Sequence, residues 1–154
     1  MIAWPRLLFA LLAFSTPALT SSSASSQQGV QNPRIALVIG NASYRDEALA
    51  TTANDAGLVA QTLQAAGFDV VGARDLDGPS IRTAFRDFLD KASAAGPDMQ
   101  SFVYLAGRGV QYNGDNYFVP VDAQIRRDAD VPIDAVNISD FAHALAQTCT
   151  LWLR

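Results

Sequence analysis

Cysteine and histidine are almost absent from this chain, which holds one of each, Cys149 and His143. A single Cys cannot form an intrachain disulfide, and one Cys with one His is too few ligands for a zinc site. Lysine is also scarce, and 11 Lys and Arg residues against 15 acids give a net charge of -4. Because no basic surface can form to meet a phosphate backbone, we expect no nucleic-acid partner.

A hydrophobic run long enough to cross a bilayer is missing at the N-terminus. Residues 1–20 carry one charge, Arg6, followed by an apolar run from Leu7 to Phe14, which is the pattern of a secretory signal. We expect a signal peptide over residues 1–24, a flexible leader over 25–33 and a secreted or periplasmic protein. The alternative is an uncleaved N-terminal anchor, and that uncleaved signal is the one membrane contact we expect.

The whole chain is 49% hydrophobic and 17% charged, and this is the composition of one globular domain. We place that domain after the leader. Its apolar runs predict strands buried on both faces at Arg34–Ile39 and Ser101–Ala106, a second short strand at Phe68–Ala73 and an extended segment at Tyr117–Val121. Such strands alternating with helices predict an α/β fold with a mostly parallel sheet between helical layers.

Three helices are predicted between and after these strands. The first is capped by Asn54 and Asp55 and ends at Gly67. The strongest helical pattern lies over Ser80–Ala95, and a last helix is expected over Ser139–Ala146. In the strongest pattern the apolar residues recur at helical spacing and form one face, made of Ile81, Ala84, Phe85, Phe88, Leu89 and Ala92.

Functional groups of a parallel sheet gather at the carboxyl ends of its strands, which directs attention to residues Gly40–Tyr44 and Gly107–Asn113. Arg108 stands between two glycines, so its side chain is presented alone at that edge. It could bind an anionic group or be a solvated loop residue.

Other chemistries have weaker support. The first strand is followed by a long loop with one glycine, and neither G-x-G-x-x-G nor a P-loop is present, so we expect no nucleotide or other cofactor. The acidic pairs Asp75/Asp77 and Asp128/Asp130 have a spacing that suits Mg²⁺ or acid–base work, but solvated turn residues are the favoured interpretation. We expect no metal.

Four ordered segments resemble the caspase-like cysteine peptidases, specifically the bacterial branch near the metacaspases: RIALVIGNASY at 34–44, ANDAG at 53–57, LQAAGFDVV at 63–71 and YLAGRGVQYNGDNYFVPVDA at 104–123. The resemblance covers nearly all of the chain after the leader. It implies a three-layer caspase-hemoglobinase-like fold and a Cys/His dyad that cleaves peptide bonds. In the metacaspase branch it further implies an acidic pocket for a basic side chain, and the matching acid is Asp55.

Both catalytic positions depart from the family pattern. Arg108 occupies the slot of the histidine, and the D-A-C segment that would carry the cysteine is absent from the sequence. Cys149 has no preceding Asp-Ala and falls too early, while His143 is interpreted as an exposed helix position. We therefore expect residues 34–154 to form an incomplete caspase-like domain with an uncovered strand edge and no peptidase activity. The alternative is a non-catalytic module of the same fold that binds a polypeptide with basic residues near Asp55.

Overall fold

The computed structural model describes residues 32–149 of the chain. The predicted signal peptide over 1–24, the leader as far as residue 31 and the side chain of Cys149 lie outside the described part. Within the described part, no helix has both the length and the hydropathy needed to cross a membrane.

The central sheet consists of the three strands that the sequence predicts. They are β1 (Arg34–Gly40), β2 (Asp69–Arg74) and β3 (Gln100–Ala106), and β1 pairs in parallel with both of the others to give the order β2-β1-β3. Since β1 lies in the middle, residues 35–40 are buried. The parallel α/β sheet is thus confirmed.

Two helices cover opposite faces of β1. Alternate residues of a strand point to opposite faces of the sheet. Leu37 and Ile39 belong to one hydrophobic core with α2 (Gly78–Ala95). Val38, on the opposite face, lines a shallow depression together with residues of α1 (Thr52–Ala65). The fold therefore has three layers, with the sheet between helices.

The predicted apolar face of α2 is confirmed. Ile81 and Phe88 are among the most completely buried side chains of the described part, and Ala84 and Leu89 pack partly buried against the same core. The helix begins after Asp77, whose carboxylate accepts a hydrogen bond from the Ser80 N–H.

The predicted start of α1 is wrong. The helix begins at Thr52, and its N-cap residue Thr51 makes no side-chain cap hydrogen bond. Asn54 and Asp55 therefore lie inside the first turn. The first turn of α1 packs closely on β1: a Cβ at Gly40 would lie 2.7 Å from the Ala56 Cβ, so this glycine allows the helix to approach the strand.

The predicted end of α1 is confirmed. Gly67 has a φ of 84°, and its N–H donates to the Gln64 carbonyl while the Phe68 N–H donates to the Leu63 carbonyl. This pair of hydrogen bonds is a Schellman motif, which favours glycine at the left-handed position.

A second, antiparallel sheet follows β3, where the sequence predicts a loop over Gly107–Asn113. Its strands are β4 (Gly109–Tyr112), β5 (Asp115–Phe118) and β6 (Val136–Asn137), in the order β4-β5-β6. The hairpin turn between β4 and β5 has positive φ at Asn113 and Gly114, 50° and 90°, as the Asn-Gly pair favours. The predicted extended segment at Tyr117–Val121 overlaps only the end of β5.

The last described elements are a short 3₁₀ turn at Asp128–Asp130, α3 (Val131–Asp134) and α4 (Ile138–Cys149). The helix α4 is longer than predicted, and Phe141 stacks on Phe85 of α2 with ring centroids 4.0 Å apart. His143 is exposed on α4, as expected.

The prediction that β3 is buried on both faces is wrong, because Phe102 is 42% exposed. Within the described part β3 pairs only with β1. One face of β3 borders an apolar groove of about 540 Å³, whose walls include Val103 and Leu105 of β3 and Phe141 and Leu145 of α4.

Candidate functional site

The loops that follow β1 and β3 meet at the carboxyl edge of the sheet, as the sequence predicts. The Asn41 N–H donates to the Ala106 carbonyl at 2.8 Å, and the Arg108 N–H donates to the Tyr44 hydroxyl at 2.8 Å. The two segments therefore form one continuous structure around Arg108.

The Asn41 side chain holds three segments at this edge together. It is completely buried. Its Oδ1 accepts from the Leu76 N–H at 2.9 Å, and its Nδ2 donates to the Leu76 and Val119 carbonyls at 3.3 and 3.4 Å. A buried amide with its polar atoms paired fixes the loops that follow β1, β2 and β5 relative to one another.

Tyr44 forms the second junction. Its hydroxyl donates to the Val119 carbonyl at 3.0 Å while accepting from the Arg108 N–H. Burial raises the pKa of the Tyr44 phenol, and the hydrogen bond from Arg108 and its charge act in the opposite direction. The hydroxyl is thus a neutral donor and acceptor that sets the position of the Arg108 backbone.

Gly107 is required by the close approach of Tyr44. A Cβ at this residue would lie 2.7 Å from the Tyr44 hydroxyl and 3.0 Å from ring carbons of Phe118. Any side chain here would push the tyrosine away from the backbone of Arg108. The first of the two glycines that flank Arg108 is therefore explained by packing.

The Arg108 side chain folds back over the loop after β1. Its guanidinium carbon lies 4.7 Å from the centre of the Tyr44 ring, in the range of a cation–π contact. One terminal nitrogen donates to the Glu47 carbonyl at 2.9 Å and lies 3.9 Å from the Glu47 carboxylate. The side chain is one-third exposed and has three described contacts with the loop after β1, so Arg108 is a positioned group.

A cleft of about 420 Å³ opens beside Arg108. Two further arginines, Arg45 and Arg126, line it together with the carboxylate of Asp46. Its apolar lining comes from the chain after β5, namely Val119, Val121, Ala123 and Ile125. The cleft is therefore a partly apolar recess with cationic groups.

Three members of the two acidic pairs, Asp75, Asp77 and Asp130, accept hydrogen bonds from nearby backbone N–H groups. Asp75, which has a φ of 52°, accepts from the Ala42 and Ser43 N–H groups at 2.8 and 2.9 Å. These two hydrogen bonds lower the pKa of its carboxyl group. Asp77 caps α2, and Asp130 accepts from the backbone of residues 126 and 127. No cluster of three potential metal ligands occurs in residues 32–149.

Asp55, the residue that the resemblance assigns to a substrate pocket, lies in the first turn of α1 and is exposed. It is not part of the lining of the cleft beside Arg108. The structure brings together Tyr44, Arg45 and Arg108 instead. The carboxyl edge of the sheet as the place of the site was predictable from the sequence. The roles of Asn41, Tyr44 and Asp75 were not, because their partners lie more than 30 residues away.

The domain has a parallel sheet with helices on both faces and a cleft at the carboxyl edge of the sheet. This is the arrangement of the α/β domains whose sites lie in the loops after the strands. The profile of the caspase domain, peptidase family C14, matches residues 33–153. The chain belongs to this family, and the caspase-like α/β fold implied by the four segments is confirmed. No curated protein matches the chain at a significant level.

The Tyr44 hydroxyl can be tested by Tyr44→Phe. The change leaves the Arg108 N–H without its partner and removes one of the two side-chain hydrogen bonds to the Val119 carbonyl, so we expect the free energy of unfolding to fall by about 1–3 kcal/mol. Tyr112→Phe is the matched control, because the Tyr112 hydroxyl makes no described hydrogen bond within residues 32–149. Urea unfolding of both variants measures the difference, and equal losses would contradict the role given to Tyr44.

We expect the Asp75 carboxylate to contribute to the free energy of unfolding in a way that is sensitive to acid. Its folded pKa lies below the ordinary value of 3.8, so its contribution is complete above that value and is lost as the pH falls through the folded pKa. Asp75→Asn removes the charge but tolerates the positive φ. The stability gap between wild type and variant should therefore close between about pH 5 and pH 2. Urea unfolding across this range checks it, with the exposed Asp87→Asn as control; a gap independent of pH would contradict the argument.

Proposed function

We propose that this caspase-family domain binds polypeptide without hydrolysing it. The observation that carries the proposal is the side chain of Arg108, which stands in the slot that the family resemblance assigns to the catalytic histidine. There it stacks on Tyr44 and donates to Glu47. A group held in this way has a structural role at the carboxyl edge of the sheet.

The chemistry of the two residue types supports the proposal. A histidine takes a proton from the attacking thiol and returns it to the leaving amine, because its pKa lies near neutrality. A guanidinium is a donor only and is not deprotonated in proteins. An arginine in this slot can therefore stabilise negative charge but cannot act as the general base.

The absence of hydrolysis is testable with the purified full chain. We expect no cleavage of fluorogenic peptides with Arg or Lys before the reporter group, since loss of such a dyad lowers rates by on the order of 10⁴- to 10⁶-fold. A cysteine peptidase of matching specificity serves as the positive control for the substrates. Cleavage by the chain that thiol reagents block would overturn the proposal.

A second candidate is a site for basic side chains at Asp55. Its carboxylate is exposed and makes no salt bridge within the described part of the chain. The resemblance to the metacaspase branch favours a polypeptide partner with Arg or Lys at this position. The pattern of residues 1–24 also supports action in a secreted or periplasmic location.

Titration of a non-cleavable Arg- or Lys-containing peptide into wild type and Asp55→Ala tests the second candidate. We expect the variant to bind several-fold more weakly, because an exposed ion pair contributes up to about 1 kcal/mol. Asp90→Ala removes an exposed carboxylate from α2 and is the control. Equal affinities for wild type and Asp55→Ala would leave the site without support.

A further inference from the structure

We propose that the cleft beside Arg108 binds a carboxylate, and that the free C-terminal carboxylate of a polypeptide is the source that its position favours. This inference rests on the proposed function, since the ligand is held and not cut. It adds the chemical group that is recognised and the residues that recognise it.

The charges of the cleft differ in sign from the rest of the molecule. Its lining holds three arginines and one aspartate, and the Glu47 carboxylate lies 3.9 Å from Arg108, which leaves three positive charges against two negative ones in a chain whose net charge is -4. Like-signed groups around a recess with apolar walls focus the electrostatic field there. An anion is therefore attracted to this cleft in preference to the rest of the surface.

The arginines retain hydrogen-bonding capacity. Among the described hydrogen bonds, the Arg108 guanidinium makes one, from a terminal nitrogen to Glu47, and Arg126 makes one, to the Gln124 side chain. A guanidinium has five N–H donors. The neighbouring Arg127 forms a salt bridge with Asp130 at 3.0 Å. Arg108 lies farther from its acidic neighbour, 3.9 Å from the Glu47 carboxylate, and Arg126 has no described salt bridge within residues 32–149.

Arg108 is also held in place before any ligand arrives. Its stacking on Tyr44 and its hydrogen bond to Glu47 fix the guanidinium, so little side-chain entropy is lost on binding. Guanidinium and carboxylate groups match in a planar, two-hydrogen-bond geometry, which favours a carboxylate over a neutral amide.

The position favours a chain terminus. In a peptidase the general base lies within hydrogen-bond reach of the reacting atoms, so the new C-terminal carboxylate of a cleaved peptide is formed beside it. An arginine in that slot meets such a carboxylate directly. The apolar residues of the same cleft, Val119, Val121 and Ile125, provide a surface for the side chain that precedes the terminus.

The experiment uses the full chain and four N-acetylated hexapeptides. Two share a neutral sequence with an apolar last residue and differ only in a free or amidated C-terminus. Two are amidated and differ only in one internal Asp or Asn. Calorimetry gives the Kd of each peptide, and mass spectrometry of the recovered peptide shows whether it stays intact.

We expect the free-acid peptide to bind about 10-fold more tightly than its amide, which corresponds to about 1.4 kcal/mol. Arg126→Gln and Arg45→Gln should each reduce this preference severalfold, while Arg86→Gln, on the exposed face of α2, should leave it unchanged. Arg108→Gln should abolish it, and the Arg126 variant keeps the test decisive if loss of Arg108 disturbs the loop.

One outcome is that only the Asp peptide binds more tightly than its partner peptide. That result would confirm that the cleft binds a carboxylate but would assign the carboxylate to an acidic side chain and not to the chain terminus. Equal Kd values within both peptide pairs would overturn the inference that the cleft binds a carboxylate. If the bound peptides are recovered intact, the proposed function of binding without hydrolysis would still stand. Cleaved peptide would overturn the proposed function, whereas the Kd ratios of uncleaved pairs would still decide the inference.

Discussion

The carboxyl edge of the sheet depends on the buried amide of Asn41. Its side chain pairs with the backbone of Leu76 and Val119, and its N–H binds the end of β3. An apolar residue in its place would leave the Leu76 N–H without its partner, at a cost of about 1–3 kcal/mol, while the Leu76 and Val119 carbonyls would keep the hydrogen bonds from the Val121 N–H and the Tyr44 hydroxyl. Every other contact at this edge, including those of Tyr44 and Asp75, requires the loops to stand where this amide holds them.

The location of Arg108 is a consequence of this framework. With the loops fixed, Tyr44 reaches the backbone of Arg108 because Gly107 has no side chain. The guanidinium then lies over the ring of the same tyrosine. One aromatic residue thus contacts both the backbone and the guanidinium of Arg108, whose side chain is one-third exposed.

Local features of the fold were predictable from the sequence, and long-range ones were not. The face of α2 follows from helical spacing, and the strands β1 and β3 follow from apolar runs, because both signals are contained in a few neighbouring residues. The hairpin at Asn113-Gly114 carried an equally local signal that the prediction of a loop overlooked. The close contact of α1 with β1 joins Gly40 and Ala56, which are far apart in sequence, and the 42% exposure of Phe102 depends on what packs against that face of β3 in space. Neither can be inferred from neighbouring residues.

The candidate site shows the same division. Strand order and chain direction were enough to predict that residues after β1 and β3 meet, and they do. The direction of the Arg108 side chain was not predictable, because it is set by Tyr44 and Glu47 in space. That direction decides the chemistry, since a guanidinium fixed beside a cationic, partly apolar cleft can hold a carboxylate but cannot transfer a proton.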